Sequence, residues 1–197
     1  MKNNSFLISG FGRSGTKFLS DVMNKSNKWV VKHEPRGSYD LDIYKKDGII
    51  PKRIKDTFDQ EYYGEVNSYM RGFIKDIEVS KRGIILRNPE NIYKSLLNRT
   101  DKHEFILKTL DEIHEYWYKF HYLLKTTNIQ KIEFEKMTTD IEYLNKILFD
   151  FGIYDVVINE TIINNKINTN KSEKYKSFDD IPLIYKNKFY DYDWSIT

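Results

Sequence analysis

The first segments of the chain follow one another in an order that strongly constrains the fold. Phe6–Ser9 has the pattern of a short buried strand, and Gly10–Gly12 ends it. Apolar residues then recur at helical spacing between Gly15 and Ser26, and Trp29–Val31 is a second short apolar run. Strand, tight turn, helix and strand in succession form a βαβ unit, which joins two parallel strands. The segment therefore predicts an α/β fold built on a parallel sheet.

Later segments continue this alternation of strands and helices. Gly83–Leu86 and residues 129–134 have the patterns of strands, and a helix is expected to begin at Pro89. Between Ile106 and Leu124 apolar residues recur every three or four positions, and residues 138–151 present a second apolar helical face. We therefore expect a central parallel sheet of about four to five strands flanked by helices.

The chain shows neither an internal repeat nor a linker, so we expect residues 1–197 to form a single domain. Residues 36–82 form a largely polar insertion, with a helix expected near 52–60. Residues 61–66 fit either a strand or an extended loop. Asn, Lys, Ser and Tyr dominate the C-terminal segment, and we expect irregular structure over 159–197.

Composition and charge exclude several classes of function. The 32 Lys and Arg residues nearly balance 29 Asp and Glu, and a net charge of +3 is too small to indicate a nucleic-acid partner. The chain has no Cys, which excludes disulfides, thiolate catalysis and zinc–thiolate sites. No segment approaches the roughly 20 apolar residues of a membrane helix, and no signal-peptide pattern is present. We therefore expect a cytoplasmic protein with no nucleic-acid or membrane partner, and the sequence does not define its oligomeric state.

The turn after the first strand, Gly10–Thr16, has the composition of a phosphate-binding loop. Its glycines allow a tight turn that directs backbone N–H groups to one point, and the following helix adds partial positive charge. Arg13 supplies a full charge on a planar fork, and Ser14 and Thr16 supply hydroxyl donors. The loop therefore predicts a site for an oxyanion.

The same loop differs from the Walker A pattern of nucleoside triphosphatases, G-x-x-x-x-G-K-[ST]. Gly10 and Gly15 have the required spacing, but Thr16 stands at the Lys position and Lys17 follows one residue late. No apolar strand ends in an Asp that could hold magnesium. The sequence therefore disfavours a nucleoside triphosphatase.

Two sequence blocks are similar to those of a known family. Gly12-Arg-Ser-Gly-Thr-Lys17 resembles the 5′-phosphosulfate loop, P-[KR]-S-G-T-[TS], of sulfotransferases that use 3′-phosphoadenosine-5′-phosphosulfate (PAPS). Its Arg resembles the tyrosylprotein-sulfotransferase branch. Arg87-Asn-Pro-Glu-Asn-Ile-Tyr-Lys-Ser95 resembles the family's R-[DN]-P-x-x-x-x-x-S block, whose Arg and Ser bind the 3′-phosphate. Ile132–Met137 is similar to a late strand and turn of the family, so the resemblance covers roughly residues 5–155.

The resemblance implies a P-loop-type α/β sandwich. It also implies transfer of the sulfuryl group from PAPS to a hydroxyl or amine acceptor, with no metal ion. Residues 36–82 would lie on the acceptor side. Val66 stands where the family often has a Lys, and Lys17 replaces its usual second hydroxyl. The donor-binding residues implied by the two blocks are Gly12, Arg13, Ser14, Gly15, Thr16, Lys17, Arg87 and Ser95.

Glu34 is the predicted base that removes the acceptor proton. It follows the second strand, whose carboxyl end opens at the same sheet edge as the loop. It also lies 34 − 13 = 21 residues after Arg13, which is similar to the spacing of the catalytic Glu in tyrosylprotein sulfotransferases. Cytosolic members use a later His, but no His lies between His33 and His103. His33 is the alternative base, and Arg13 would stabilise charge on the transferred group.

Two other functions fit the sequence. One is a P-loop nucleotide-dependent kinase with an unusual loop, and the other is a catalytically inactive nucleotide-binding module. The second is favoured by Val66, at the position of the missing Lys. The acceptor itself is not specified by the sequence, because a small molecule, a carbohydrate or a peptide would fit equally well.

Overall fold

The computed structural model describes residues 4–35, 52–164 and 174–195. The strands are β1 (Ser5–Gly10), β2 (Val30–His33), β3 (Tyr63–Val66), β4 (Lys81–Leu86) and β5 (Gln130–Glu133). The α-helices are α1 (Thr16–Met23), α2 (Lys52–Phe58), α3 (Pro89–Leu97), α4 (His103–Thr126), α5 (Phe134–Met137), α6 (Ile141–Asp150), α7 (Glu160–Asn164) and α8 (Leu183–Tyr190). A 3-10 helix spans Ser68–Gly72.

The five strands form one parallel sheet in the order β2-β3-β1-β4-β5. The predicted α/β class and the parallel sheet flanked by helices are confirmed, with the sheet at the upper end of the expected size. Of the segment 61–66, which fitted a strand or an extended loop, Tyr63–Val66 forms a strand. The register aligns Ile8, Val66 and His33 across β1, β3 and β2. The residues that follow these strands therefore emerge at one edge of the sheet.

The described residues fall into two compact units. The first contains residues up to Leu86 together with Asn128–Asn164, and the second contains Arg87–Thr127 together with residues 174–195. All five strands belong to the first unit. The expected single domain is not tested by this division and stays a prediction.

The core of the first unit is built around an aromatic cluster beside the central strand. Phe6 is fully buried, and its ring centroid lies 5.1 Å from that of Trp29 and 5.3 Å from that of Phe151. Gly64 on the neighbouring strand makes room for this ring, since a Cβ at Gly64 would lie 2.1 Å from the nearest Phe6 ring carbon. The close approach explains why the middle of β3 carries a glycine.

The second unit is helical and also has an aromatic core. Ile106, Leu110 and Trp117 of the predicted apolar face of α4 are buried, as expected. The rings of Tyr93 and Phe189 stack with centroids 5.5 Å apart. The helix α8, which carries Phe189, was not expected, because its apolar residues do not mark one face. Phe189 is buried, whereas Leu183, Ile184 and Tyr190 are exposed. No helix in the described part of the chain combines the length and apolarity needed to cross a membrane.

Candidate active site

The turn between β1 and α1 is a closed loop with two left-handed residues. Arg13 has a φ of 74° and Gly15 a φ of 85°. The N–H and hydroxyl of Ser14 both donate to the carbonyl of Phe11, at 3.1 and 2.7 Å. The fully buried Ser14 hydroxyl therefore closes the loop onto itself. Left-handed residues in a tight turn direct N–H groups toward a common point, which is the geometry of an anion-binding nest.

The three glycines of the loop have different structural roles. A Cβ at Gly15 would lie 2.5 Å from the Phe134 ring, and a Cβ at Gly10 would lie 2.6 Å from the Ser14 hydroxyl. The fold therefore requires both residues to be glycine. A Cβ at Gly12 would meet no described atom within 4 Å. The Gly12 backbone consequently faces open space, so a ligand can approach it closely.

The two residues that begin α1 point to different environments. The Lys17 side chain is 47% exposed and forms an ion pair with Asp21 one turn later. Thr16 is buried, and its Oγ1 lies 3.2 Å from Nε2 of His33 in a hydrogen bond. The loop is thus connected to the end of β2 through Thr16, whereas Lys17 lies along the helix surface.

Glu34 is held in place directly after β2. Its Oε1 accepts hydrogen bonds from the hydroxyl of Ser68 and, at 3.4 Å, from the Ser68 N–H. The same oxygen lies 3.7 Å from Nε2 of His33. The side chains of His33 and Glu34 are 25% and 22% exposed, so both are partly accessible to a ligand. Thr16, His33 and Glu34 therefore form a continuous line of contacts from the loop to a carboxylate.

The environment of His33 favours the neutral imidazole. Partial burial lowers the pKa of His33 below its usual 6.5, and the positive charge of Lys17 lowers it further. The carboxylates of Glu34 and Asp21 raise it, but they do not overcome the cost of burial. His33 is therefore neutral near pH 7 and can accept a proton.

Two of the residues predicted to be catalytic have an unusual backbone conformation. Arg13, Glu34 and Tyr62 are the non-glycine residues in the described part of the chain with positive φ, at 74°, 44° and 56°. Left-handed conformations cost L-residues about 1–2 kcal/mol each. Strained residues of this kind cluster at functional sites. Arg13 and Glu34 of the candidate site therefore share an unusual backbone conformation, which Tyr62, just before β3, also adopts.

Arg87 and Ser95, from the second sequence block, are both in the helical second unit. Arg87 is half-buried and immediately follows β4. The Asn88 side chain caps α3 by accepting the N–H of Glu90 at 2.8 Å, and Pro89 occupies the first turn as predicted. Ser95 lies on α3 and is half-buried. The cap fixes where the helix starts, and therefore where Ser95 lies relative to Arg87 along the chain.

A buried carboxylate at the end of β3 was not expected from the sequence. Glu65 is fully buried, and its two oxygens accept hydrogen bonds from the Tyr63 hydroxyl at 2.7 Å and the Asn67 amide at 3.1 Å. Asn67 precedes Ser68, the residue that donates to Glu34. An acidic residue flanked by the buried Gly64 and Val66 was the signal that could have revealed this network.

A cavity in the first unit lies away from the candidate site. A cavity of about 160 Å³ lies at the amino-terminal edge of the sheet, where it is lined by Ser5, Ser80 and Trp29. The loop and Glu34 lie at the opposite, carboxyl edge, which is where α/β proteins bind ligands. In residues 4–35, 52–164 and 174–195, no group of three or more His, Asp or Glu side chains is arranged to hold a metal ion.

The fold and this site define an α/β protein with a phosphate-type loop at the carboxyl edge of a parallel sheet. A sulfotransferase domain from the Synechococcus PCC 7002 olefin synthase has a similar structure, with a TM-score of 0.58 and 15% sequence identity. The alignment covers 98% of this chain and 97% of that domain. The chain therefore has a sulfotransferase-like fold.

A second solved structure is less similar. The deoxyadenosine kinase from M. mycoides with bound dCTP aligns with a TM-score of 0.44 and 10% identity, over 74% of this chain and 97% of the kinase. A likeness at this level supports no argument about function. No protein-family model matches the chain. No curated protein matches it either.

Proposed function

We propose that the protein is a sulfotransferase that moves the sulfuryl group of PAPS to a hydroxyl or amine acceptor, in line and without a metal ion. The proposal rests mainly on the line of contacts from Thr16 through His33 to Glu34. This line connects a loop suited to an oxyanion with a carboxylate suited to remove a proton. The sulfotransferase-like fold supports the same conclusion.

The loop is suited to hold the 5′ end of the donor. The Gly12 backbone is open to a ligand, and Arg13 supplies a permanent positive charge next to it. When bound, PAPS supplies an activated sulfuryl group on a phosphate leaving group. The loop N–H groups, the start of α1 and Arg13 would stabilise the negative charge that grows there during transfer. Gly15, Thr16, Ser14 and Lys17 complete the proposed donor loop, with the Ser14 hydroxyl acting through loop closure.

Glu34 is the proposed base. Its Oε1 is occupied by Ser68, and no described residue donates a hydrogen bond to Oε2. Oε2 can therefore accept the proton of an acceptor hydroxyl. His33 is the alternative base because its lowered pKa keeps the imidazole neutral near pH 7.

The 3′-phosphate of the donor is assigned to Arg87 and Ser95. A guanidinium binds a phosphate through two parallel hydrogen bonds, and a hydroxyl adds a third donor. The assignment rests on the similarity of this block to the R-[DN]-P-x-x-x-x-x-S pattern. The acceptor is proposed to be a small molecule, a carbohydrate or a peptide, and the site of action the cytoplasm.

A transfer assay tests this function. Radiolabelled PAPS is incubated with p-nitrophenol, glucosamine, tyramine and a tyrosine-containing peptide, and labelled product is separated from donor. We expect label on at least one acceptor in the presence of a chelator, and its loss in Glu34→Ala and Arg13→Ala. Binding of PAPS without transfer to any acceptor would instead support an inactive nucleotide-binding module. Transfer of phosphate from ATP and magnesium would support a kinase.

A further inference from the structure

The turn between β3 and the 3-10 helix is fixed to the centre of the sheet through Asn67. The Asn67 N–H donates to the Ile8 carbonyl at 2.8 Å, and its own carbonyl accepts the Ser9 hydroxyl at 2.9 Å. Its side-chain amide donates to Glu65 at 3.1 Å, and its side-chain oxygen accepts the Tyr69 N–H at 3.0 Å. All the polar groups of this buried residue are therefore used, and its conformation is fully specified.

Glu65 determines which way the Asn67 side chain faces. A carboxylate accepts but does not donate, so only the NH₂ group of Asn67 can face it. The Asn67 oxygen is then turned toward the start of the 3-10 helix, where it caps the chain. Burying a carboxylate is costly, and a well-packed apolar residue would serve stability alone at least as well. The Glu65 carboxylate therefore specifies one orientation of the Asn67 amide.

The oriented turn holds Ser68, and Ser68 holds Glu34. Ser68 is itself buried, with 4% of its surface exposed, and it directs both its hydroxyl and its N–H to Oε1 of Glu34. Glu34 otherwise lies beyond the end of its strand in a strained conformation. Two donors on one oxygen fix the position of Oε1, and no described residue donates a hydrogen bond to Oε2.

We propose that Glu65, Asn67 and Ser68 form a positioning relay that aims the carboxylate of Glu34 at the acceptor. The inference rests on the proposed function, since it concerns the base of that reaction. None of the three relay residues is proposed to touch the reacting atoms. The rigid strands β1 and β3 hold the turn in place, and the turn holds the Glu34 side chain in one direction.

Removal of the Ser68 hydroxyl tests the last step of the relay. Ser68→Ala should lower kcat for the best acceptor of the panel by about tenfold to a hundredfold, because the base loses its orientation. The KM for PAPS should stay within about twofold, since the donor loop is untouched. The matched control is Ser26→Ala, which removes a comparable serine bond to Asp155 at the far end of α1 and should leave kcat unchanged.

Exchanging the donor and the acceptor at residues 67 and 65 tests the contact between Asn67 and Glu65. Asn67→Asp alone opposes two carboxylates and should lower kcat. Glu65→Gln alone should lower kcat less, because the glutamine oxygen can still accept from the Asn67 amide while its NH₂ group faces the Tyr63 hydroxyl. The double variant restores one donor and one acceptor with reversed polarity, because the introduced glutamine amide can donate to the introduced aspartate. We expect kcat to recover in the double variant to within about threefold of wild type, a coupling that independent residues would not show.

The outcomes separate this inference from the proposed function. If wild type transfers sulfate and Glu34→Ala does not, but Ser68→Ala keeps full kcat, the relay is wrong and the function stands. If wild type transfers nothing, the function is wrong, and the relay is judged from a crystal structure of Ser68→Ala. A Glu34 carboxylate that keeps its position there would overturn the relay, and a reoriented one would support it.

Discussion

Two replacements of Glu34, by alanine and by glycine, both remove the carboxylate but differ in the strain of the backbone at this residue. With a φ of 44°, Glu34 lies in the left-handed region, which costs an L-residue about 1–2 kcal/mol. Glu34→Ala keeps this cost, whereas Glu34→Gly removes it. The greater freedom of glycine in the unfolded chain offsets about 0.5–1 kcal/mol. Both variants lose the Ser68 hydrogen bonds equally, so the glycine variant should be more stable than the alanine variant by about 0.5–1 kcal/mol.

Urea unfolding at pH 7 measures this difference. The control is the same pair of substitutions at Lys32, an exposed position in β2 with ordinary backbone geometry, where alanine should be more stable than glycine by about 0.5–1 kcal/mol. Both Glu34 variants should lose sulfuryl transfer and keep binding of adenosine 3′,5′-bisphosphate. An alanine variant at 34 that equals or exceeds the glycine variant in stability would refute the strain at this residue.

Three further predictions concern the loop, His33 and Arg87. Gly12→Ala should change the free energy of unfolding by less than about 0.5 kcal/mol and weaken nucleotide binding, whereas Gly15→Ala should destabilise the fold by roughly 1–3 kcal/mol. Glu34→Gln should lower the pKa of His33 further in an NMR titration, because Glu34 raises it in the wild type. Arg87→Ala should weaken binding of adenosine 3′,5′-bisphosphate by roughly tenfold to a hundredfold and leave adenosine 5′-monophosphate unaffected.

The lowered pKa of His33 also predicts how the free energy of unfolding changes with pH. As the pH falls below 6.5, the unfolded chain takes up a proton before the folded one, so the free energy of unfolding should decrease until the pH reaches the lowered pKa. Above 6.5 this contribution is fully present. His33→Asn should remove this part of the pH dependence.

Three results would contradict the predictions for the other variants. They are a raised His33 pKa in Glu34→Gln, equal loss of binding of both nucleotides in Arg87→Ala, and an unfolded Gly12→Ala protein.

Local patterns were sufficient to predict most of the first unit. The strand at Phe6–Ser9, the glycine turn and the next apolar run define a βαβ unit by themselves, and parallel strands then follow from its geometry. The C-terminal segment could not be predicted in this way. The apolar residues of its helix α8 do not mark one face, and Phe189 is buried in part by Tyr93, which lies far away in the sequence and stacks on it. A contact between residues so distant in sequence leaves no local signal.

For the candidate site, the sequence supports a prediction where a motif is contiguous. Arg13 and its neighbours form one such motif, and Glu34 is predicted from its place after a strand; both stay predictions. The hydrogen bonds from Ser68 to Glu34 could not be predicted from the sequence, because they depend on the sheet order that puts β3 between β2 and β1. Glu65 is a polar residue in a strand, and only its complete burial distinguishes it from a surface glutamate.

Titration calorimetry with adenosine 3′,5′-bisphosphate is the most direct measurement of the central claim. We predict tight binding in the presence of a chelator, at least about tenfold weaker binding in Arg13→Ala, and little heat from ATP with magnesium. The Glu34→Ala variant should bind as wild type does. Tight binding of ATP with magnesium, and none of the bisphosphate, would contradict the account.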